Sequence, residues 1–377
     1  MTEDRILVVG AGIGGLSTAI ALRQRGFDVH VVERQPSLDA SVYGVGIIQP
    51  INALRALDAI GCADACLEQG FATAAWGRKF NQEGDVLGEV PGGSIPGSRF
   101  PPMNGITRPK LHHILSDRAI ALGTTIAYST TFTRLTPNPD GVDVDFDDST
   151  TSTFSLVIGA DGVRSSVRRY VLDEGIEPTP MGQSAFRMNI PREPDMDRII
   201  LQEGETGMAG IVRIGPDLAY LFMNVAAGKS YRVPEDQLRT VLKEKLACFG
   251  GIIGRVRDRY VDEAEDIVLR PEEYLIAPAP WHRGRIVLMG DAVHAITPHL
   301  GQGAAQAIED AVVLAECLAT IDSVEHAFEA YTERRYERCK LVVESSAAVG
   351  LWELNPTADF DHVALTQRVM ETMAAPI

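Results

Sequence analysis

Two rhythms of apolar and polar positions divide this chain. Ile6-Leu7-Val8-Val9 is a continuous apolar run that enters a glycine turn, Gly10-x-Gly12-x-x-Gly15. A helical stretch from Leu16 to Gln24 follows, and a second strand-like run, Val29 to Val32, ends in Glu33. Runs that are apolar at every position suit strands covered on both faces, so the pattern predicts one βαβ unit. Helical spacing returns at Ala53, Leu54, Leu57 and Ile60, where Gly61 stops it. It returns again at Leu111, Ile114, Leu115 and Ala119, in a helix entered at Thr107-Arg108-Pro109; Thr107 or Arg108 would cap it and Pro109 suits its first turn. Residues 71–103 read as short strands and turns, loop-rich over 91–102. Strand alternation predicts a meander over 124–158, with a hairpin signal at Asn138-Pro139-Asp140-Gly141. It ends in a buried strand, Ser155 to Ile158, that runs into Gly159-Ala160-Asp161-Gly162. Alternation also dominates 177–270, a mostly antiparallel sheet with a charged helix near 234–248. From Arg285 the first rhythm resumes: the strand Ile286 to Met289 ends in Gly290-Asp291, and a small-residue helix covers about 302–319.

The opening βαβ unit has a chemistry that follows from its residues. Gly10 makes the tight turn, Gly12 lets backbone approach a pyrophosphate, and Gly15 lets helix and strand pack closely. The helix N-terminus offers unpaired N–H groups to phosphate, and Glu33 is placed to hydrogen-bond an adenosine ribose. Strand, glycines, helix, strand and terminal acid in this order predict dinucleotide binding.

Bulk properties narrow the rest. A length of 377 residues suits about two domains, and 45% apolar with 23% charged residues is ordinary for a soluble globular protein. The net charge of −16 argues against a nucleic-acid partner, which needs clustered Lys and Arg. The five cysteines are scattered and include no CxxC pair, which fits reduced thiols and a cytoplasmic setting. Cys62 and Cys66 share a helix face, but no nearby histidine completes a metal set, so no metal is expected. Residues 6–22 are uncharged but hold four glycines and follow an acidic start, so neither a signal peptide nor a membrane span is expected.

Further stretches resemble the class A flavoprotein monooxygenases, the para-hydroxybenzoate hydroxylase family. Gly159-Ala160-Asp161-Gly162 with Ser165 and Arg168 matches its GADG-x-x-S-x-x-R pattern. Gly290-Asp291, followed by Pro298-His299-Leu300-Gly301-Gln302-Gly303, matches its Gly-Asp motif and flavin loop. Arg108-x-x-Leu111-x-x-x-Leu115 matches its phosphate-facing arginine, and Glu33-Arg34 its acid–arginine pair at the adenosine end. The resemblance implies FAD held by these residues together with Gly10, Gly12, Ile13, Gly15 and Gly46. It implies an α/β fold: a Rossmann-like FAD-binding domain of the GR2 type (1–75, 104–176 and 271–350), an inserted, mostly antiparallel β-sheet substrate domain (76–103 and 177–270), and a C-terminal helical tail (351–377). With only one glycine fingerprint, NADH or NADPH would visit transiently as co-substrate. In this family O2 adds to the reduced flavin at C4a, and the hydroperoxide hydroxylates an electron-rich ring.

The same resemblance nominates chemistry. His299 is the candidate base or proton relay for a small phenol, hydroxybenzoate or hydroxypyridine, whereas His294 suits a packing role under the flavin loop. Tyr220 is a candidate substrate contact; Arg187 and Arg213 are candidate clamps for a carboxylate; Gln49 and Phe222 are candidate pocket walls. Each competes with an ordinary strand or core role. Tryptophans 76, 281 and 352 are too scattered for the halogenase Trp-x-Trp-x-Ile-Pro motif. An epoxidase of the same fold, and a non-catalytic flavin-binding redox sensor, are the rival readings. Monomer and homodimer both remain open.

Overall fold

A computed structural model describes residues 5–41, 45–73, 75–90, 95–172, 175–228, 231–357 and 359–377. The acidic start and residues 91–94 of the expected loop lie outside the described residues. The apolar runs build a six-stranded sheet in the order 282–283, 286–288, 156–159, 5–9, 28–33, 125–128. All neighbours are parallel except the short antiparallel pair at the 282–283 edge. Register aligns Val9 with Gly159 and Gly159 with Leu288. Three glycine-bearing turns, after Val9, Gly159 and Leu288, therefore emerge together at the carboxyl edge of the sheet, where open α/β sheets bind ligands.

The helix Ile13–Arg23 lies between this sheet and the helix Gly303–Thr320. Its Leu16, Ile20 and Leu22 are fully buried, each contributing about 1.5–3 kcal/mol of hydrophobic stabilisation. The strand 125–128 joins the parallel sheet beside 28–33 and is not part of the meander expected to start at 124. It follows the helix Arg108–Ala121, and a strand after a crossover helix returns parallel. The meander itself comprises 132–137, 142–146 and 151–154, turned at Asn138, whose N–H donates to Gly141 O at 2.9 Å.

A second sheet has seven strands, ordered 268–274, 179–191, 218–226, 207–213, 199–204, 77–80, 86–90. Strand alternation separates its faces. Phe186, Met188, Leu221, Met223 and Ile211 pack against the helices Leu238–Lys245 and Gly251–Tyr260. The charged helix expected near 234–248 spans Leu238–Lys245, and the second helix, Gly251–Tyr260, lies beyond the expected range, after Gly250-Gly251, with Gly251 at φ +55°. The opposite face, with Arg187 opposite Phe222 and Val212 opposite Tyr220, looks back toward the nucleotide-type sheet. The 31-residue helix Val324–Leu354 and the helix His362–Ala374 close this side. Among the described residues no helix is long and apolar enough to cross a membrane.

Candidate active site

One cleft of about 630 Å³ runs from the first glycine turn, along the carboxyl edge of the parallel sheet, to the inner face of the second sheet. At its first end Gly10 has φ +105°, and a Cβ there would sit 2.6 Å from Ala160 O; a Cβ on Gly15 would sit 1.9 Å from Gly10 O. Gly12, in contrast, has nothing within 4 Å of that position and faces the cleft with Ile13. It is the N-cap of the first helix and no side chain caps it. The helix therefore offers unpaired N–H groups and its positive dipole end to the cleft. Glu33 accepts from Ala11 N and Gln35 N, both at 2.9 Å, which fixes the glycine turn to the end of the second strand. Arg34 is exposed and off the cleft wall.

Arg108, the first residue of its helix, lines the cleft, and within the described residues its guanidinium makes no hydrogen bond. Enclosure pushes its pKa down, Asp291 opposes this, and Arg187 adds to the fall. An anion beside it would relieve that cost. Asp161 turns inward: it accepts from Ser165 Oγ (2.5 Å), Ser166 N (2.6 Å) and Val167 N (3.1 Å), so Gly162 and Ala160 form the wall in its place. Arg168 donates to Val163 O and Ala292 O, both at 2.9 Å, tying this turn to the Gly290-Asp291 turn.

Gly290 (φ +58°) and Asp291 open on the cleft; burial raises the Asp291 carboxyl, against the pull of His294 and Arg108. Pro298, Gly301 and Gly303 line it further on. Gly301 turns the chain at φ +62°, and no side chain caps the helix that starts at Gly303. Gln302 is buried elsewhere, accepting from Asn52 Nδ2 at 3.0 Å. A buried charge network holds this turn from below. Asp310 accepts from Gly290 N (2.9 Å) and Arg335 Nε (2.7 Å) and meets His294 Nε2 at 2.5 Å. Burial pushes Asp310 up, but His294 and Arg335 outweigh it and hold the carboxyl below the ordinary range. His294, Asp310 and Cys339 bring their ligating atoms within 4.8 Å of one another, but a cation would displace Arg335 from the same carboxylate. Two uncapped helix ends, an open Gly12 and an Arg108 guanidinium without a hydrogen-bond partner among the described residues, all along one cleft, fit an elongated, phosphate-bearing cofactor such as FAD.

The far wall belongs to the second sheet. Arg187, Tyr220, Val268, Arg270 and Glu272 all face the cleft, because register places them on one face. Within the described residues the Arg187 side chain has no hydrogen-bond or ion-pair partner. Tyr220 packs on Gly46, where a Cβ would come within 2.4 Å of its ring; burial raises the phenol pKa. Arg213 lies opposite Ala219, on the face away from Tyr220, and its guanidinium sits 3.4 Å from the centre of the Phe71 ring. It therefore cannot share a carboxylate with Arg187. Gln49 accepts from Asn104 at 2.7 Å and is turned away from the cleft; Phe222 packs on Gly210 beside Tyr220.

The His299 side chain is fully enclosed behind the wall. Its Nδ1 is 3.0 Å from Thr297 Oγ1, and its Nε2 is 3.1 Å from Gln183 Oε1, 3.6 Å from Glu272 Oε2 and 3.5 Å from Glu353 Oε2. Burial lowers its pKa, but Glu353 and Glu272 outweigh that and raise it. Glu272 and Glu353 escape sequence reasoning. A glutamate on an alternating strand and another near a helix end look like solvated positions until the fold encloses them.

Known proteins align over most of this chain. A profile for the FAD binding domain matches residues 3–245 and 274–346. The 6-hydroxynicotinate 3-monooxygenase of Pseudomonas fluorescens is 32% identical over 365 residues, covering 90% of this chain and 89% of that protein. The 2-heptyl-3-hydroxy-4(1H)-quinolone synthase of Pseudomonas aeruginosa (strain UCBPP-PA14) is 33% identical over 362 residues, covering 92% and 90%. Klebsiella pneumoniae HpxO, crystallised with FAD and uric acid, shares the fold with a TM-score of 0.81 at 23% identity, covering 98% of this chain and 92% of that one.

Proposed function

This chain belongs to the FAD binding domain family and is a flavoprotein monooxygenase of the aromatic hydroxylase type, and we propose that it hydroxylates a small aromatic or heteroaromatic phenol or acid at the expense of NADH or NADPH and O2. The observation that carries this reading is the shared cleft: phosphate-type residues line one end, and Arg187, Tyr220 and Glu272 line the other. Bound FAD supplies electron transfer and oxygen activation. The chain does the rest. Gly12 and Arg108 would hold its phosphates, and the N–H groups at Gly303 and Ala304 would support its redox ring. Arg187, a cation on a strand with no hydrogen-bond or ion-pair partner among the described residues, is suited to receive the substrate's carboxylate or phenolate in a bidentate contact. Tyr220, fixed against Gly46, orients the ring, and Ile48 and Ile296 contribute apolar wall that excludes water.

Relatives acting on 6-hydroxynicotinate and on 3-hydroxybenzoate bracket the substrate class. The test incubates the FAD-loaded protein with NADH or NADPH and a panel of phenols, hydroxybenzoates and hydroxypyridines. NAD(P)H oxidation stimulated by one of them, with a product carrying one added oxygen, is expected. Binding of the whole panel without turnover would favour a redox sensor and overturn the proposal.

A further inference from the structure

Resting on the hydroxylase reading above, we infer that Glu272 is the group that takes the proton from the substrate's ring hydroxyl, and that His299 and Glu353 carry that proton out of the cleft. Glu272 lines the cleft yet is only 6% exposed, and neither carboxylate oxygen has a hydrogen-bond partner within the described residues. A buried carboxylate without donors is costly, so a residue in this state is aimed at something the cleft receives. It shares its sheet face with Arg187 and Tyr220, at the end of the cleft assigned to substrate.

Behind Glu272 the imidazole of His299 is placed to act between two acids. Its Nε2 is hydrogen-bonded to Gln183 Oε1 at 3.1 Å and lies nearly midway between the acids, 3.6 Å from Glu272 Oε2 and 3.5 Å from Glu353 Oε2, so a tilt that releases Gln183 makes either contact. Nδ1 is anchored at 3.0 Å on Thr297 Oγ1, itself 2.8 Å from Ser346 Oγ. Glu353 accepts from Gln183 Nε2 (3.2 Å) and Asn224 Nδ2 (3.1 Å), and 10% of its side chain reaches solvent. The helix makes room for the ring: a Cβ on Gly350 would sit 2.6 Å from His299 Cε1. A glycine here gives up helix propensity, since alanine is the better helix former. The charged or titratable groups around Glu272 are Arg187 from its neighbouring strand, Tyr220 from the next, Arg270 and Glu273 on its own strand, His299 and Glu353. Burial raises Glu272, with His299 and Arg187 pulling the other way; Glu353 lies below its ordinary value, since His299, Asn224 and Gln183 outweigh its burial. These directions favour an imidazolium beside the Glu353 carboxylate.

The transfer conserves protons and moves no electrons between groups. The substrate O–H bond breaks as an O–H bond forms on Glu272, leaving a phenolate. His299 passes its Nε2 proton to Glu353, which releases it to water, and the freed Nε2 takes the proton from Glu272. Glu272 ends as a carboxylate and His299 as an imidazolium, with one proton delivered outside.

The experiment compares full-length, FAD-loaded wild type with Glu272→Gln, Glu272→Asp, Glu353→Gln and Gly350→Ala, using the phenol that gives product in the panel. In wild type, coupled hydroxylation should rise with pH through a carboxyl pKa above the usual range. Glu272→Gln should lower it about 100-fold below the phenol's own pKa, with the rise moved to that pKa, and Glu272→Asp should restore part of it. Glu353→Gln and Gly350→Ala should shift the profile in the same direction while FAD content stays at the wild-type level. Independently of turnover, 15N NMR of the histidine rings should find both His299 nitrogens protonated near neutral pH, and Glu353→Gln should lower that pKa. Hydroxylation with an unchanged pH profile in Glu272→Gln, or a His299 titration indifferent to Glu353→Gln, would overturn the relay and leave the hydroxylase reading standing. Absence of hydroxylation in wild type would defeat that reading itself.

Discussion

Arg187 and Asp310 are both charged and both near the cleft, yet they do opposite jobs. Among the described residues Arg187 has no hydrogen-bond or ion-pair partner, so Arg187→Ala should leave stability nearly unchanged and raise KM for a carboxylate-bearing ring by about 10- to 100-fold, the worth of a charged hydrogen-bonded pair. A neutral phenol should lose much less, and steady-state kinetics on the two substrates checks the contrast. Asp310 is fully buried between His294 and Arg335, and Asp310→Asn strands those cations, costing about 3–5 kcal/mol in urea unfolding. The pH dependence follows from the signs. Asp310 lies below its ordinary pKa, so its contribution is present above about pH 4 and fades as pH falls through the folded value. His294 is raised well above its ordinary value; burial opposes this, but Cys339 and Asp310 outweigh it. Its contribution is therefore complete below about pH 6.5 and fades as pH climbs through the raised value. The network should be most stabilising between those limits in wild type, and that dependence should flatten in Asp310→Asn. At this scale the sequence is legible where backbone geometry dictates the residue, as at Gly10 and Gly15. It is silent on Glu272 and Glu353, whose meaning comes from a histidine distant in sequence that the fold places between them. Alternation likewise placed Arg187 and Arg213 on strands without saying that their side chains leave opposite faces.

Elements were readable when their signal was local. The first helix, expected over Leu16–Gln24, spans Ile13–Arg23, and the small-residue helix expected at about 302–319 spans Gly303–Thr320. The strand 125–128 and the helix Gly251–Tyr260 were not separated out, since a short strand cannot declare its sheet and a glycine pair reads as a loop. The last helix gave no chemical signal, yet its end is held specifically. Arg55 donates to Met373 O, Ala374 O and Ala375 O, and Arg338 to Thr372 O and Met373 O. These carbonyls lie in the last turn and just beyond it, where a helix leaves its own acceptors unsatisfied. Val369, Met370 and Met373 complete the apolar cluster that contains Tyr220 and Leu300. Replacing both arginines by alanine should release this helix before the rest unfolds, seen as faster hydrogen exchange over 362–374 and cleavage by protease near 355–361. Protection equal to wild type would mean that apolar packing alone holds it.

For the whole molecule, the sheet orders explain why one chain can carry both halves of the proposed reaction. The mostly parallel sheet gathers three turns at its carboxyl edge, and the mostly antiparallel sheet turns one polar face toward them. Motif order made the α/β fold with an FAD-binding domain legible and named residues that line one end of the cleft. The substrate end was legible only as a region, because alternation identifies a strand and not what stands across a cleft from it. The central claim is that this cleft couples NAD(P)H oxidation to oxygen insertion into a small ring. The most direct measurement follows oxygen uptake by the FAD-loaded protein with NADH or NADPH and the phenol panel, under 18O2, with product mass read at the end. The account predicts ring-stimulated uptake and a product labelled with one 18O atom. Uptake that no ring stimulates and that yields only hydrogen peroxide would contradict it.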